Sequence, residues 1–233
     1  MGQQMVKTYL FTRYERFWHW GQMVLIFILL LTGFEVNGFY SLLGFETAVN
    51  IHNYTGLTWL VAFLVFIFWL FTTGEWRQYI PTTQKLFSVA LFYAYGIFKG
   101  DDHPYPKRKE AKHNPLQRLS YLGLSATLLP VQMLTGFLYW SYNSWEAWGL
   151  TFLNLQVVAY IHVIVAFAIL LFVIIHVYMT TTGHTPFAHI MTMITGWEDL
   201  EEDEAAEGWE VRNYKSKIQQ IQEILEKNET VKE

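Results

Sequence analysis

The sequence has no cysteine. That excludes a disulfide-stapled scaffold, thiolate-held iron–sulfur clusters, cysteine-type zinc sites and thiol catalysis within this chain. Charge is scarce as well. Only 15% of the 233 residues are Asp, Glu, Lys or Arg, against roughly 25% in an average soluble domain. The net charge is −4, so the chain has no basic excess for nucleic acid, and none is expected as a partner. Apolar residues fill the space: 52% of the chain is hydrophobic and 18% aromatic. Such a composition does not stay disordered.

The few charges are unevenly placed. None occurs from Phe17 to Phe34, from Thr47 to Gly74, from Leu119 to Trp145, or from Ala147 to Trp197. Each run is about as long as the 20 apolar residues that cross a bilayer. Gly183, His184 and Pro186 break the last one. Four transmembrane helices are expected, near 18–37, 50–72, 117–140 and 156–180. The first is read as a retained span, because no small-residue cleavage site follows it. The stretch Leu86–Phe98, flanked by Lys85 and Lys99, is too short to span. It reads as an interfacial helix beginning after Pro81, capped by Thr82 or Thr83.

Lys and Arg set the topology. With four spans, the N-terminus, the 73–116 loop with Arg118 just beyond it, and the tail share one side and hold all 16 basic residues. The 38–49 and 141–155 loops hold none. The positive-inside rule then puts both termini in the cytoplasm. The expected organisation is a cytoplasmic segment 1–17, a membrane domain 18–180 with the cytoplasmic loop and interfacial helix 73–116, and a cytoplasmic tail 181–233. Tyr40, Tyr139, Trp140, Tyr142, Trp145 and Trp148 read as an interface belt at the outer ends. In the tail, 198–207 is acidic and expected to be solvated. Ile218, Ile221 and Leu225 give 212–232 the spacing of an amphipathic helix, docked on the cytoplasmic face or on a partner, with a loose surface helix an equal reading.

Four of the eight histidines fall inside the spans: His19, His52, His162 and His176. Ionisable residues in hydrocarbon are costly and mark function by default. Their depths sort them into an inner pair, His19 and His176, and an outer pair, His52 and His162. The last helix supplies one to each, because fourteen residues make almost four turns, about 21 Å along the axis. Two imidazoles facing each other across a bundle suit a six-coordinate b-type haem. Zinc fits less well, since neither layer offers a third ligand. Gly33 and Gly136 lie in two copies of Leu-Thr-Gly-Phe at similar depth, where small residues make room for a flat ring. Pro130 is expected to kink the third span.

The stretch Phe11-Thr12-Arg13-Tyr14-Glu15-Arg16-Phe17-Trp18-His19-Trp20, with the Leu-Thr-Gly-Phe after it, His52 and the His162/His176 spacing, resembles a known family. It is that of the dihaem cytochrome b subunits of membrane-bound formate dehydrogenases (the gamma subunit), nickel–iron hydrogenases and thiosulfate-reductase-like enzymes. Thr180-Thr181-Thr182-Gly183-His184-Thr185-Pro186 and Met193-Ile194-Thr195-Gly196-Trp197-Glu198 resemble the ends of some members. The resemblance covers about residues 8–198. It implies an all-α four-helix membrane bundle with two b haems, ligated by His19/His176 on the cytoplasmic side and His52/His162 on the periplasmic side. It also implies menaquinone or ubiquinone near the cytoplasmic haem, with Asn114 and Gln117 at the place of an Asn-x-x-Gln segment and His113 beside them. A helix-capping Asn114 is an equal reading of that segment. Arg13, Arg16 and Arg118 lie at the depth of the inner haem, as propionate partners or as positive-inside anchors.

The function expected is electron transfer between quinone and a periplasmic iron–sulfur or multihaem subunit, itself joined to a catalytic subunit. The setting is a bacterial or archaeal inner membrane. The apolar outer loops, with Phe45, Trp145 and Trp148, are the expected docking face. The alternatives are a self-sufficient two-haem transmembrane reductase of ascorbate or ferric type, and a non-redox membrane transporter. The reductases usually carry two histidines on each of two helices, unlike this chain.

Overall fold

The computed structural model describes residues 5–101, 104–105, 112–183 and 185–201. The amphipathic segment 212–232, most of the acidic run, Lys107, Arg108, Lys109, Glu110, His103 and His184 lie outside the described residues.

The chain forms a short strand β1 (Met5–Tyr9), then helices α1 (Arg13–Val36) and α2 (Phe45–Thr73). A short helix α3 (Leu86–Lys99) precedes the long helices α4 (Pro115–Trp140) and α5 (Leu155–Thr180). Helix α6 (Ala188–Thr195) and strand β2 (Trp197–Glu201) follow. The architecture is thus all-α apart from one two-stranded ribbon. α1, α2, α4 and α5 are each long and apolar enough to cross a membrane. Their flanks expose large apolar side chains, among them Phe27, Val61, Phe68, Ile164 and Leu171, each more than half accessible. A bundle that turns such residues outward is built for lipid.

Helix starts are set by caps rather than by where charge stops. α1 begins at Arg13 because Thr12 and Glu15 form a reciprocal capping box, with the Thr12 hydroxyl accepting from Glu15 N at 3.3 Å and the Glu15 carboxylate accepting from Thr12 N at 2.7 Å. α4 begins with Pro115 after Asn114, which forms the same box with Gln117. α2 has no capping side chain of its own. Glu35, buried at the end of α1, reaches across instead: its Oε1 accepts from the N–H groups of Leu42, Leu43 and Gly44 at 2.7–2.8 Å. The interfacial helix departs from expectation at its start. Neither Thr82 nor Thr83 caps it. Lys85 takes the cap position at φ +53°, a left-handed turn between Pro81 and the helix, and its side chain does not cap the helix.

Two helical hairpins make the bundle. Aromatic contacts zip α1 to α2, with Trp18 stacked on Phe66 at 3.8 Å and Tyr14 tilted against Trp69 at 4.6 Å. The shared core is Trp59 and Phe63 of α2, Leu129 and Met133 of α4, and Ile169 of α5. The Trp59 indole finds a partner in Gln22 Oε1 at 2.5 Å. In α4 a π turn over Leu124–Leu128 comes just ahead of Pro130, where a residue without an N–H upsets the regular ladder.

The ribbon was not legible in the hydropathy. β1 pairs antiparallel with β2, Met5 opposite Glu201 and Tyr9 opposite Trp197, so both ends of the membrane domain meet at one end of the bundle. Gly196, at φ +88°, makes the turn into β2, and its carbonyl accepts from Leu10 N and Phe11 N at 2.8 and 3.3 Å. A Cβ there would meet Tyr9 at 2.6 Å and the Phe11 carbonyl at 2.7 Å, so only glycine serves. Glu198, expected to be solvated, is buried 3.5 Å from His189 Nδ1, because the ribbon folds the start of the acidic run back onto α6.

The Glu35 clamp is testable. Glu35→Ala leaves three backbone donors at the head of α2 without their acceptor, at a cost of about 1–3 kcal/mol. The melting temperature of the detergent-purified variant, followed by tryptophan emission, is expected to fall by several degrees. An unchanged melting temperature would show that water satisfies those donors equally well.

Candidate functional site

The four span histidines form two facing pairs. His19 near the start of α1 meets His176 near the end of α5, with ring centroids 6.0 Å apart and planes at 52°. His52 of α2 meets His162 of α5 at 6.3 Å and 79°. Each lies seven residues into its helix, which sets both at the end of the bundle away from the ribbon.

The residues fit a haem. A metal–imidazole bond is about 2 Å, so two axial rings on one metal sit with centres about 6 Å apart. Among the described residues no cluster of three or more His, Cys, Asp or Glu could hold a metal ion. A ring that brings its own equatorial nitrogens needs only the two donors each layer offers. His19 Nδ1 is buried without a hydrogen-bond partner, a cost that metal coordination of that ring helps to offset.

The far-side pair has a dense polar setting. Thr32 Oγ1 lies 2.9 Å from His52 Nδ1, and Thr135 Oγ1 lies 3.1 Å from His162 Nδ1. Gln132 Nε2 lies 3.1 Å from His162 Nε2. A Cβ on Gly33 would stand 3.2 Å from His52 Cε1, and one on Gly136 3.0 Å from His162 Cε1. Both glycines therefore open space at the far-side layer, and what fills it is the imidazole itself. Thr32, Thr135 and Gln132 were missed from the sequence. The repeated Leu-Thr-Gly-Phe carried the signal, but only its glycine was used.

At the ribbon end the arginines differ. Arg13 is exposed and, with Arg16, Phe17, Trp20 and Gly21, lines a groove of about 740 Å³ along α1. Arg16 donates to the Ile194 carbonyl and, at 3.5 Å, to the Tyr9 hydroxyl, and so ties α1 to the ribbon. Arg118 is fully buried, and its Nε donates to the His113 carbonyl at 3.0 Å.

His113, Asn114 and Gln117 come together there with three tyrosines. The His113 ring packs between Phe11, Tyr79 and Tyr121 at 5.1–6.4 Å. Asn114 Oδ1 and Gln117 Oε1 accept from each other's backbone N–H at 2.8 and 3.0 Å, while Asn114 Nδ2 donates to the Tyr93 hydroxyl at 3.2 Å. Lys112 is buried against Glu15 at 2.9 Å and Glu75 at 3.7 Å. Burial pushes the Tyr79 phenol above its ordinary range, reinforced by Glu15, Tyr121 and Glu75. Burial also raises Tyr93, against the opposing effect of its bond from Asn114. Both phenols stay protonated at neutral pH. From His113 a run of ring contacts leads to the membrane pair: Tyr121, then Phe172 at 6.3 Å, then His176 stacked on Phe172 at 5.9 Å.

On the opposite loops Phe45 and Trp148 are exposed, as a docking face requires. Trp145 is not: it is 4% accessible, and its indole donates to the Leu138 carbonyl at 3.0 Å. It plugs the loop from beneath, because its N–H can reach the free carbonyls at the end of α4.

Comparison with known proteins agrees with the geometry. Residues 10–196 match the family model for prokaryotic cytochrome b561. A protein of Escherichia coli (strain K12), YdhU, named as a cytochrome, is 32% identical over 200 residues, covering 82% of this chain and 74% of that protein. No solved structure matches. The match takes in all four spans, both histidine pairs and the turn into the ribbon. The chain belongs to the prokaryotic cytochrome b561 family, multi-pass membrane proteins that bind b-type haem and transfer electrons.

Proposed function

We propose that the chain is the membrane-anchoring dihaem cytochrome b subunit of a respiratory oxidoreductase. It passes electrons between a periplasmic redox partner and a menaquinone or ubiquinone pool. The observation that carries this reading is the stack of two facing histidine pairs, at 6.0 and 6.3 Å, one at each end of the bundle. Bound there, b-type haem supplies a one-electron carrier at each layer. His19 and His176 would hold the haem at the ribbon end, and His52 and His162 the one at the far end. The absence of Lys and Arg from the 38–49 and 141–155 loops supports a cytoplasmic ribbon end.

The remaining residues divide by end. Arg13, Arg16 and Arg118 provide positive charge at the depth of the cytoplasmic layer to balance haem propionates. Arg16 and Arg118 do this from positions fixed by their own bonds to backbone carbonyls. His113, Asn114 and Gln117 form the quinone site, with the protonated Tyr93 and Tyr79 as further donors. The run of rings from His113 to His176 supports this placement, as it keeps the site in packing contact with the cytoplasmic layer. The far-side loops, with exposed Phe39, Leu42, Phe45, Trp148 and Phe152, dock a periplasmic iron–sulfur or multihaem subunit that is joined to the catalytic subunit.

The stoichiometry is read by pyridine haemochrome assay on the pure protein, with two b haems per chain expected. His19→Ala and His176→Ala are expected to remove one and the same component of a redox titration, and His52→Ala and His162→Ala the other. One haem per chain, or His19→Ala and His52→Ala removing the same component, would overturn the assignment.

For the quinone site, Asn114→Ser keeps a capping hydroxyl and removes the amide, and Tyr93→Phe removes the phenol. Losing one such hydrogen bond costs about 1 kcal/mol. Each variant is expected to slow haem oxidation by a menaquinone analogue by about five- to tenfold, with the haem spectra intact. Normal rates in both would place quinone elsewhere.

A further inference from the structure

We infer that Thr32 and Thr135 are positioning residues that fix the tautomer of His52 and His162, making Nε2 of each the metal-binding nitrogen. The inference rests on the proposal that this pair holds a haem.

A threonine hydroxyl has one proton. Thr32 Oγ1 lies 2.7 Å from the Ile28 carbonyl, and Thr135 Oγ1 lies 2.7 Å from the Val131 carbonyl. A carbonyl can only accept, so each hydroxyl proton points back along its own helix. The oxygen then faces the imidazole with lone pairs alone. His52 Nδ1 and His162 Nδ1, at 2.9 and 3.1 Å, must be the donors. The backbone carbonyls of Leu29 and Gln132 also accept from these rings, so each threonine acts together with a carbonyl of its own helix. A neutral imidazole protonated on Nδ1 carries its lone pair on Nε2. Gln132 Nε2 lies 3.1 Å from His162 Nε2, a contact that a metal on that nitrogen would replace.

The threonine works together with the glycine that follows it. Gly33 and Gly136 let the rings approach their helices, since a Cβ would stand 3.2 and 3.0 Å from Cε1. That approach brings Nδ1 within reach of the hydroxyl. In each hairpin the glycine admits the ring and the threonine turns it. The ribbon-end pair lacks this device. His19 Nδ1 is buried without a partner, and among the described residues no hydroxyl bonds His19 or His176. Hydrogen bonding through Nδ1 raises the basicity of a histidine ligand and so favours the oxidised metal. The two threonines therefore hold down the potential of the far-side centre alone.

The test uses the full chain with haem bound. The variants are Thr32→Val and Thr135→Val, which keep the shape and lose the acceptor, and Thr32→Ser and Thr135→Ser, which keep the hydroxyl. Optical redox titration follows both components, with His52→Ala marking the far-side one. The valine variants are expected to raise the far-side midpoint and leave the other unmoved, and the serine variants to restore the wild-type value. Loss of the far-side haem in the valine variants but not in the serine variants would equally support the role of the hydroxyl. Unchanged midpoints in the valine variants, or equal damage in both sets, would reduce the threonines to packing and overturn the inference. Wild-type protein with fewer than two haems would instead overturn the dihaem reading beneath it, whatever the threonines do.

Discussion

An imidazole has two nitrogens, and in hydrocarbon neither can turn to water. Four such rings sit inside this bundle, and the helices are arranged around their needs. α5 carries two of them and therefore faces α1 at one end and α2 at the other. α4 has none, yet it supplies Thr135, Gly136 and Gln132 to the ring of its neighbour. α1 does the same for α2 through Thr32 and Gly33. The two hairpins thus repeat one local arrangement with the same four-residue sequence, though no wider repeat is evident along the chain.

Between the layers the interior is apolar. Trp59, Phe63, Leu129, Met133 and Ile169 fill it, and the buried polar groups of Gln22 and Trp59 satisfy each other there. Such a middle excludes water and ions while leaving the two layers separate. Moving one charge across a membrane is worth about 2.3 kcal/mol per 100 mV. On the proposed function, a dry core between the two layers would let electron transfer couple to that field. Polar groups gather instead at the ribbon end, where Lys112, Glu15, Glu75 and the buried tyrosines form a connected cluster.

The spans and the histidine pairing were legible because both follow from periodicity and depth: a charge-free run has a length, and a helix has a pitch. What escaped depends on side chains that act across a distance in sequence. Glu35 reads as an ordinary charge near the end of a span until the turn brings three N–H groups onto it. Trp145 reads as a belt aromatic until Leu138 offers it a carbonyl. The threonine of Leu-Thr-Gly-Phe reads as a helix residue, because nothing local tells which ring will lie against it. Asn114 and Gln117 illustrate the reverse. Their capping box is local and visible, whereas what the remaining amide hydrogens face depends on the fold.

The ribbon also bears on how the protein is assembled. β1 and β2 are separated by the whole membrane domain, with Met5 opposite Glu201. Closing a loop of that length carries an entropic cost that local contacts do not. It also cannot happen until the last span has been made and inserted, since Trp197–Glu201 emerges after all four. The strand synthesised first must wait for the one synthesised last. The ribbon therefore closes only after all four spans have been made. A chain that stalls after three spans leaves β1 without its partner strand, an open edge that can pair with another chain.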